Sequence, residues 1–196
     1  MHRTLKFLLI ASLLVPGCRV FTPEPIPTPA SISALTLEAL SNAEYHSPDW
    51  GMFRLMNGVY ERPPLNPGET SSVYTTRLLE PAAFGDLNGD GAPDAIVGLG
   101  TQSGGTGHFV ELAAVLNSDG SPQNVDTLPL GDRVVIEQAA IQDGIITLQM
   151  RVHGPTDGLC CPSLLETWQF RLQGDHLIRV EPPPSVGALS SLPLNW

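Results

Sequence analysis

Four dipeptides constrain the fold of this 196-residue chain more than any other feature: Asn57-Gly58, Asp119-Gly120, Asp143-Gly144 and Gly174-Asp175 each interrupt apolar runs at short intervals. Asn-Gly and Asp-Gly supply the positive φ angles of a two-residue hairpin turn, and Phe53-Arg54-Leu55 and Val59-Tyr60-Glu61 are expected to pair across the first of them. Parallel neighbours need crossovers of a dozen residues or more, so links this short predict an antiparallel meander. Two runs alternate cleanly. Ile146, Leu148, Met150 and Val152 share one side of a strand, and Trp168, Phe170 and Leu172 share one side of another, each implying a sheet with one wet face. Val73 to Leu79, Ala95 to Gly98 and His108 to Leu116 add further strand runs. The expected class is mainly β (α+β), an antiparallel meander sheet with one short N-terminal helix over Ala34 to Ala43 capped by Ser33. No repeat of 20 to 50 residues argues for a solenoid or propeller.

The ends of the chain read differently. His2, Arg3 and Lys6 precede an apolar run from Phe7 to Val15, too short for a stable membrane span, and Pro16-Gly17-Cys18 closes it. Residues 1–17 are therefore expected to be a secretory signal. The stretch Leu14-Val15-Pro16-Gly17-Cys18 resembles the bacterial lipobox, which implies cleavage before Cys18 and a lipid on that cysteine. The alternative is an ordinary signal peptide with an incidental cysteine. Residues 18–32 follow as a Pro-rich linker, in which Thr22-Pro23-Glu24-Pro25-Ile26-Pro27-Thr28-Pro29 favours an extended polyproline II spacer. Residues 33–181 are expected to form a single β-rich domain with one core, and residues 182–196 a loosely held tail.

Loss of residues 1–17 leaves eight basic residues, all arginine, against twenty acidic ones, and takes the formal charge from −10 to −12. Such an acidic surface opposes nucleic acid and anionic lipid head groups. Membrane attachment is then expected through the N-terminal lipid, with an envelope or extracellular partner of unknown identity.

The densest chemistry lies in Asp86-Leu87-Asn88-Gly89-Asp90-Gly91-Ala92-Pro93-Asp94. Asp86, Asn88, Asp90 and Asp94 occupy positions 1, 3, 5 and 9 of a calcium-binding loop, and Gly91 occupies position 6, where the backbone turns sharply. Three carboxylates in one turn repel each other unless a hard cation or a dense set of backbone N–H donors compensates. Residues 83–98 resemble the FG-GAP and VCBS type of calcium loop, which implies that the Ala92 carbonyl joins the four side chains and that the loop joins two strands. Position 12 is Val97, where an EF-hand places a bidentate Glu, so the loop is no EF-hand and its affinity is expected in the ~10⁻⁴ to 10⁻³ M range of extracellular modules. The competing reading is a turn held by its own Asx hydrogen bonds with no ion. A bound calcium would act structurally, pinning the turn.

A second segment, His153-Gly154-Pro155-Thr156-Asp157-Gly158-Leu159-Cys160-Cys161-Pro162, joins two strand runs. In an oxidising compartment Cys160 and Cys161 are expected to form a vicinal disulfide or to remain as two thiols, with a bridge between chains a distant third. Adjacent Cα atoms lie closer than disulfides favour, so the bridge would be readily reduced. A metal or catalytic site from Cys160, Cys161 and His153 lacks further ligands, a base and an oxyanion site. His108 and His176 read as strand-end residues, and Gly104-Gly105-Thr106-Gly107 as a hairpin rather than a phosphate loop.

Signal, lipobox, spacer, acidic loop, the Gly104 to Phe109 run and the His153 to Pro162 segment together resemble a group of uncharacterised bacterial lipoproteins, over roughly residues 35 to 181. This implies export, lipid attachment and a cation loop, and no activity. Two functional classes follow: a non-catalytic binding or scaffold module on a bacterial envelope, which is favoured, and a thiol-redox or hydrolytic accessory enzyme that uses Cys160 and Cys161.

Overall fold

The computed structural model describes residues 33–63, 68 and 74–180. The expected signal, Cys18, the Pro-rich linker and the 182–196 tail lie outside them, as does Val73.

The first element is a helix, α1 (Leu37–Ser41), shorter than expected. Its cap is Thr36 instead of Ser33: Thr36 is extended, and its hydroxyl oxygen accepts from Ala39 N at 3.1 Å. Ser33 N instead donates to Asp119 Oδ1. Asn42 ends the helix outside helical geometry, and its side-chain amide donates to the Glu38 carbonyl.

Eleven strands follow: β1 (Glu44–Ser47), β2 (Gly51–Arg54), β3 (Val59–Glu61), β4 (Thr75–Gly85), β5 (Asp94–Gln102), β6 (Phe109–Ser118), β7 (Ser121–Asp132), β8 (Val135–Gln142), β9 (Ile145–Val152), β10 (Leu164–Gln173) and β11 (His176–Val180). All pairings are antiparallel. They make a five-stranded sheet in the order β3-β4-β5-β6-β7, a four-stranded sheet in the order β11-β10-β9-β8, and the pair β1-β2. The mainly β class with antiparallel sheets and one short helix is therefore the observed one.

Three of the four turn dipeptides close hairpins between consecutive strands. Asp119-Gly120 and Asp143-Gly144 both take positive φ at each residue, and Gly174 takes it ahead of Asp175, so that Ser118 faces Ser121, Gln142 faces Ile145 and Gln173 faces His176. Asn57-Gly58 also turns with φ of 52° and 80°, yet its flanking strands separate after the single bridge Met56↔Val59. The hairpin expected between Phe53 to Leu55 and Val59 to Glu61 is corrected accordingly: β2 pairs with β1, and β3 with β4. Competing bonds explain the divergence. Leu55 N donates to Ala43 O at 2.9 Å and Gly58 N to Ser41 O at 2.8 Å, while Leu78 N donates to Gly58 O at 2.9 Å.

Apolar side chains divide into two clusters on opposite faces of the five-stranded sheet, where the sequence suggested one core. Ile96, Leu112, Ala114, Ile136, Ile146, Leu148, Met150 and Phe170 fill the space between the two large sheets. Ala95, Val97, Leu99, Ala113 and Val115 point the other way, beneath Leu40, Tyr45, Phe53 and Leu55 of the α1-β1-β2 layer. Period-2 alternation sends neighbours to opposite faces, so β5 is buried along nearly its whole length. The four-stranded sheet keeps one wet face, as β9 and β10 show by their alternating burial.

Candidate functional site

The acidic loop bridges β4 and β5, and its side-chain oxygens are matched to backbone donors. Asp86 Oδ1 accepts from Gly89 N at 2.6 Å and Oδ2 from Gly91 N at 2.9 Å, and these bonds, Gly91 first, hold the Asp86 carboxyl below the usual carboxylate range. Asn88 Oδ1 accepts from Asp90 N, its amide donates to Asp90 Oδ2 at 2.8 Å, and Asp90 Oδ1 accepts from Ala92 N at 2.7 Å. Asp94 stands apart. It is fully buried, and its two oxygens accept from Leu87 N at 2.8 Å and from Asn117 N at 2.9 Å, which fastens the loop to β6.

These bonds realise the Asx network that competes with a cation, without using all the donor capacity. An ionised carboxylate offers about four lone-pair sites, and the Gly89 and Gly91 N–H groups each take one oxygen of Asp86. Asn88 and Asp90 are exposed, Asp86 is half-buried, and Ala92 is buried at the base of the turn. Asp143 lies across a shallow groove of about 530 Å³ that Asp86 and Asn88 also line, adding a carboxylate that the sequence placed far away. As the side chains stand, no group of three or more His, Cys, Asp or Glu among the described residues is arranged around a single metal position. The oxygen-only donor set is nonetheless the type that a hard cation such as calcium takes.

At another place on the surface, the loop between β9 and β10 is closed by one carboxylate. Asp157 Oδ2 accepts from Gly154 N at 2.8 Å and from Ser163 N at 2.7 Å, and Oδ1 accepts from the Ser163 hydroxyl at 2.7 Å. The Ser163 hydroxyl bond leads in lowering the Asp157 carboxyl below its ordinary range. Within this loop the Sγ atoms of Cys160 and Cys161 are bonded to each other, with Cα atoms 3.8 Å apart, and both residues are exposed. His153 lies half-buried nearby, its Nε2 without a hydrogen-bond partner.

Cys160 and Pro162 line an open cavity of about 480 Å³ together with Thr106 and His108 from the glycine-rich β5–β6 connection and Arg133 from the β7–β8 connection. The fold thus brings together two segments that stood out in the sequence, Gly104 to His108 and His153 to Pro162. It adds a residue that carried no sequence signal. Arg133 N donates to His108 O at 2.6 Å, its guanidinium donates to Asp132 and to the Thr106 carbonyl, and Asp132 Oδ1 accepts from His108 N at 2.7 Å. His176 opens β11 and approaches Asp126 at 3.9 Å.

One further polar group is buried on the opposite face of the five-stranded sheet. Glu111 on β6 is 1% exposed; the Ser47 hydroxyl donates to its Oε1 at 2.6 Å, and Oε2 has no partner. Burial, followed by the nearby Asp49, raises its pKa above the usual carboxylate value against the lowering effect of Ser47. Comparison with protein-family models, with curated proteins and with solved structures finds no match to this chain. The resemblance of residues 83–98 to calcium loops rests on those residues themselves.

Proposed function

We propose that this chain is an exported, lipid-anchored, non-catalytic binding module of a bacterial cell envelope, whose acidic turn takes calcium as a structural ion. The observation that carries the calcium part is the position of the loop. Asp86, Asn88 and Asp90 sit on the turn between β4 and β5, and Asp94 ties the same turn to β6 through Asn117. An ion held by the side chains of Asp86, Asn88, Asp90 and Asp94 and the Ala92 carbonyl would neutralise repulsion at a junction of three strands of the central sheet. Its effect is on stability, by preferential binding to the folded state. Anchoring rests on the Leu14 to Cys18 stretch, the spacer holds the domain away from the membrane, and the net negative charge makes nucleic acid an unsuitable partner.

Two measurements test the parts separately. Thermal melting of the full chain in millimolar calcium and in chelator is expected to show a higher Tm with calcium, and identical curves would remove the ion. Fractionation of expressing bacteria is expected to find the chain with membranes and the Cys18→Ser variant in the soluble fraction. Equal partitioning of the two would remove the lipid anchor.

A further inference from the structure

The cavity beside the disulfide has properties that a wall of a passive loop would not require. Among the described residues four non-glycine residues have positive φ; three are Asn57, Asp119 and Asp143, of the types that tolerate it, and the fourth is Arg133 at 55°. A left-handed conformation is strained at such a residue, and strain of this kind concentrates at functional sites. At least two of the five guanidinium donors are engaged by Asp132 and Thr106, fixing Arg133 at the cavity wall. Glu80 lines the same cavity, so one acidic and one basic residue bound it together. Those two groups match the ammonium and carboxylate of an amino-acid head group. Of the two sulfurs, that of Cys160 belongs to a residue lining the space, and Cys161 does not line it.

We propose that this cavity is a thiol–disulfide exchange site for a small thiol bearing an amino-acid head group, a chemistry independent of the membrane anchor and of the calcium loop. The head group lies between Arg133 and Glu80. The thiolate of the bound molecule forms a new S–S bond with Cys160 Sγ, the Cys160–Cys161 bond breaks, and the electron pair leaves on Cys161 Sγ, which takes up a proton from water. Reversal expels the small thiol and closes the bridge, so capture needs no further oxidant or reductant. His108 lines the same cavity.

The test follows adduct formation on the purified full chain by intact mass, with the freed thiol alkylated and then mapped. Glutathione is the probe, with 2-mercaptoethanol and hydrosulfide as thiols that lack the head group. Gln102→Trp, at an exposed residue that lines the cavity, is expected to slow the glutathione reaction about tenfold through lost access and to leave hydrosulfide unchanged. Arg133→Asn keeps a residue that tolerates positive φ, and is expected to lower the glutathione rate relative to 2-mercaptoethanol by about threefold or more. Circular dichroism of each variant, with a melt, guards against misfolding. Equal glutathione rates in wild type and Gln102→Trp, or an adduct on Cys161, would overturn the site. An unchanged rate ratio in Arg133→Asn would overturn the head-group assignment.

Discussion

Asp94 and Asp90 belong to the same nine-residue run, and their surroundings give them different work. Asp94 is buried and serves two backbone donors, so Asp94→Asn places an NH₂ or a weaker acceptor against Leu87 N or Asn117 N. Leaving a buried donor unsatisfied costs about 1–3 kcal/mol, and each kcal/mol lowers Tm by about 2–4 °C in a domain of this size, so Asp94→Asn should melt lower with or without calcium. Asp90 is exposed, and Asp90→Asn should leave Tm in chelator within about 1 °C while shrinking the calcium-induced rise. Parallel melts in chelator and in calcium then distinguish Asp94, whose loss shows with or without an ion, from Asp90, whose loss shows only with calcium. Glu111 offers a pH test of opposite sign to that of an ordinary surface acid. Its folded-state pKa is raised, so its favourable contribution is complete below the unfolded carboxylate pKa and is lost as pH rises through the folded value. Glu111→Gln retains an acceptor for Ser47 and removes the charge; it should therefore raise Tm more at pH 8 than at pH 4. A uniform shift at both values would contradict the burial argument.

Elements pair where turns are local, and this is where the sequence was most readable. Asp119-Gly120, Asp143-Gly144 and Gly174-Asp175 carry their geometry in the residues themselves, so the β6–β7, β8–β9 and β10–β11 hairpins could be read directly. At Asn57-Gly58 the turn was readable and the pairing was not, because Ala43, Ser41 and Leu78 arrive from elsewhere to take the hydrogen bonds. The acidic loop was equally local. The clustering of Cys160, His108 and Arg133 was invisible, since three separate connections build it and Arg133 follows no motif. Packing between the sheets depends on distant partners too. A Cβ at Gly85 would lie 2.7 Å from Ile141 Cγ2, and one at Gly98 would lie 3.0 Å from Ile136 Cδ1, so these glycines let β8 approach the five-stranded sheet. Gly85→Ala should therefore destabilise by about 1–3 kcal/mol through overpacking. Adding Ile141→Ala should recover part of that loss in chemical denaturation, and additive penalties would show that the contact is not the cause.

For the whole molecule, the arrangement in three layers makes stability uneven in a definite order. The middle layer has apolar side chains on both faces, with Ile96, Leu112 and Ala114 toward the four-stranded sheet and Val97, Leu99 and Ala113 toward α1, β1 and β2. Each outer layer shields one face only, and β11 is a five-residue edge strand in which every residue but Leu177 is exposed or partly so. Opening β11 uncovers little apolar surface, while opening β5 uncovers both clusters at once. Local opening free energies follow the apolar area exposed, so amides of β5 and β6 should exchange with solvent only through global unfolding and those of β11 through a smaller opening. Native-state hydrogen exchange measured over increasing denaturant would show this as a steep, shared denaturant dependence for Val97 and Ala113 and a shallow one for Ile178. Protection of Ile178 equal to that of Val97, with the same dependence, would mean that the three layers open as one unit and that double coverage of the central sheet confers no local advantage.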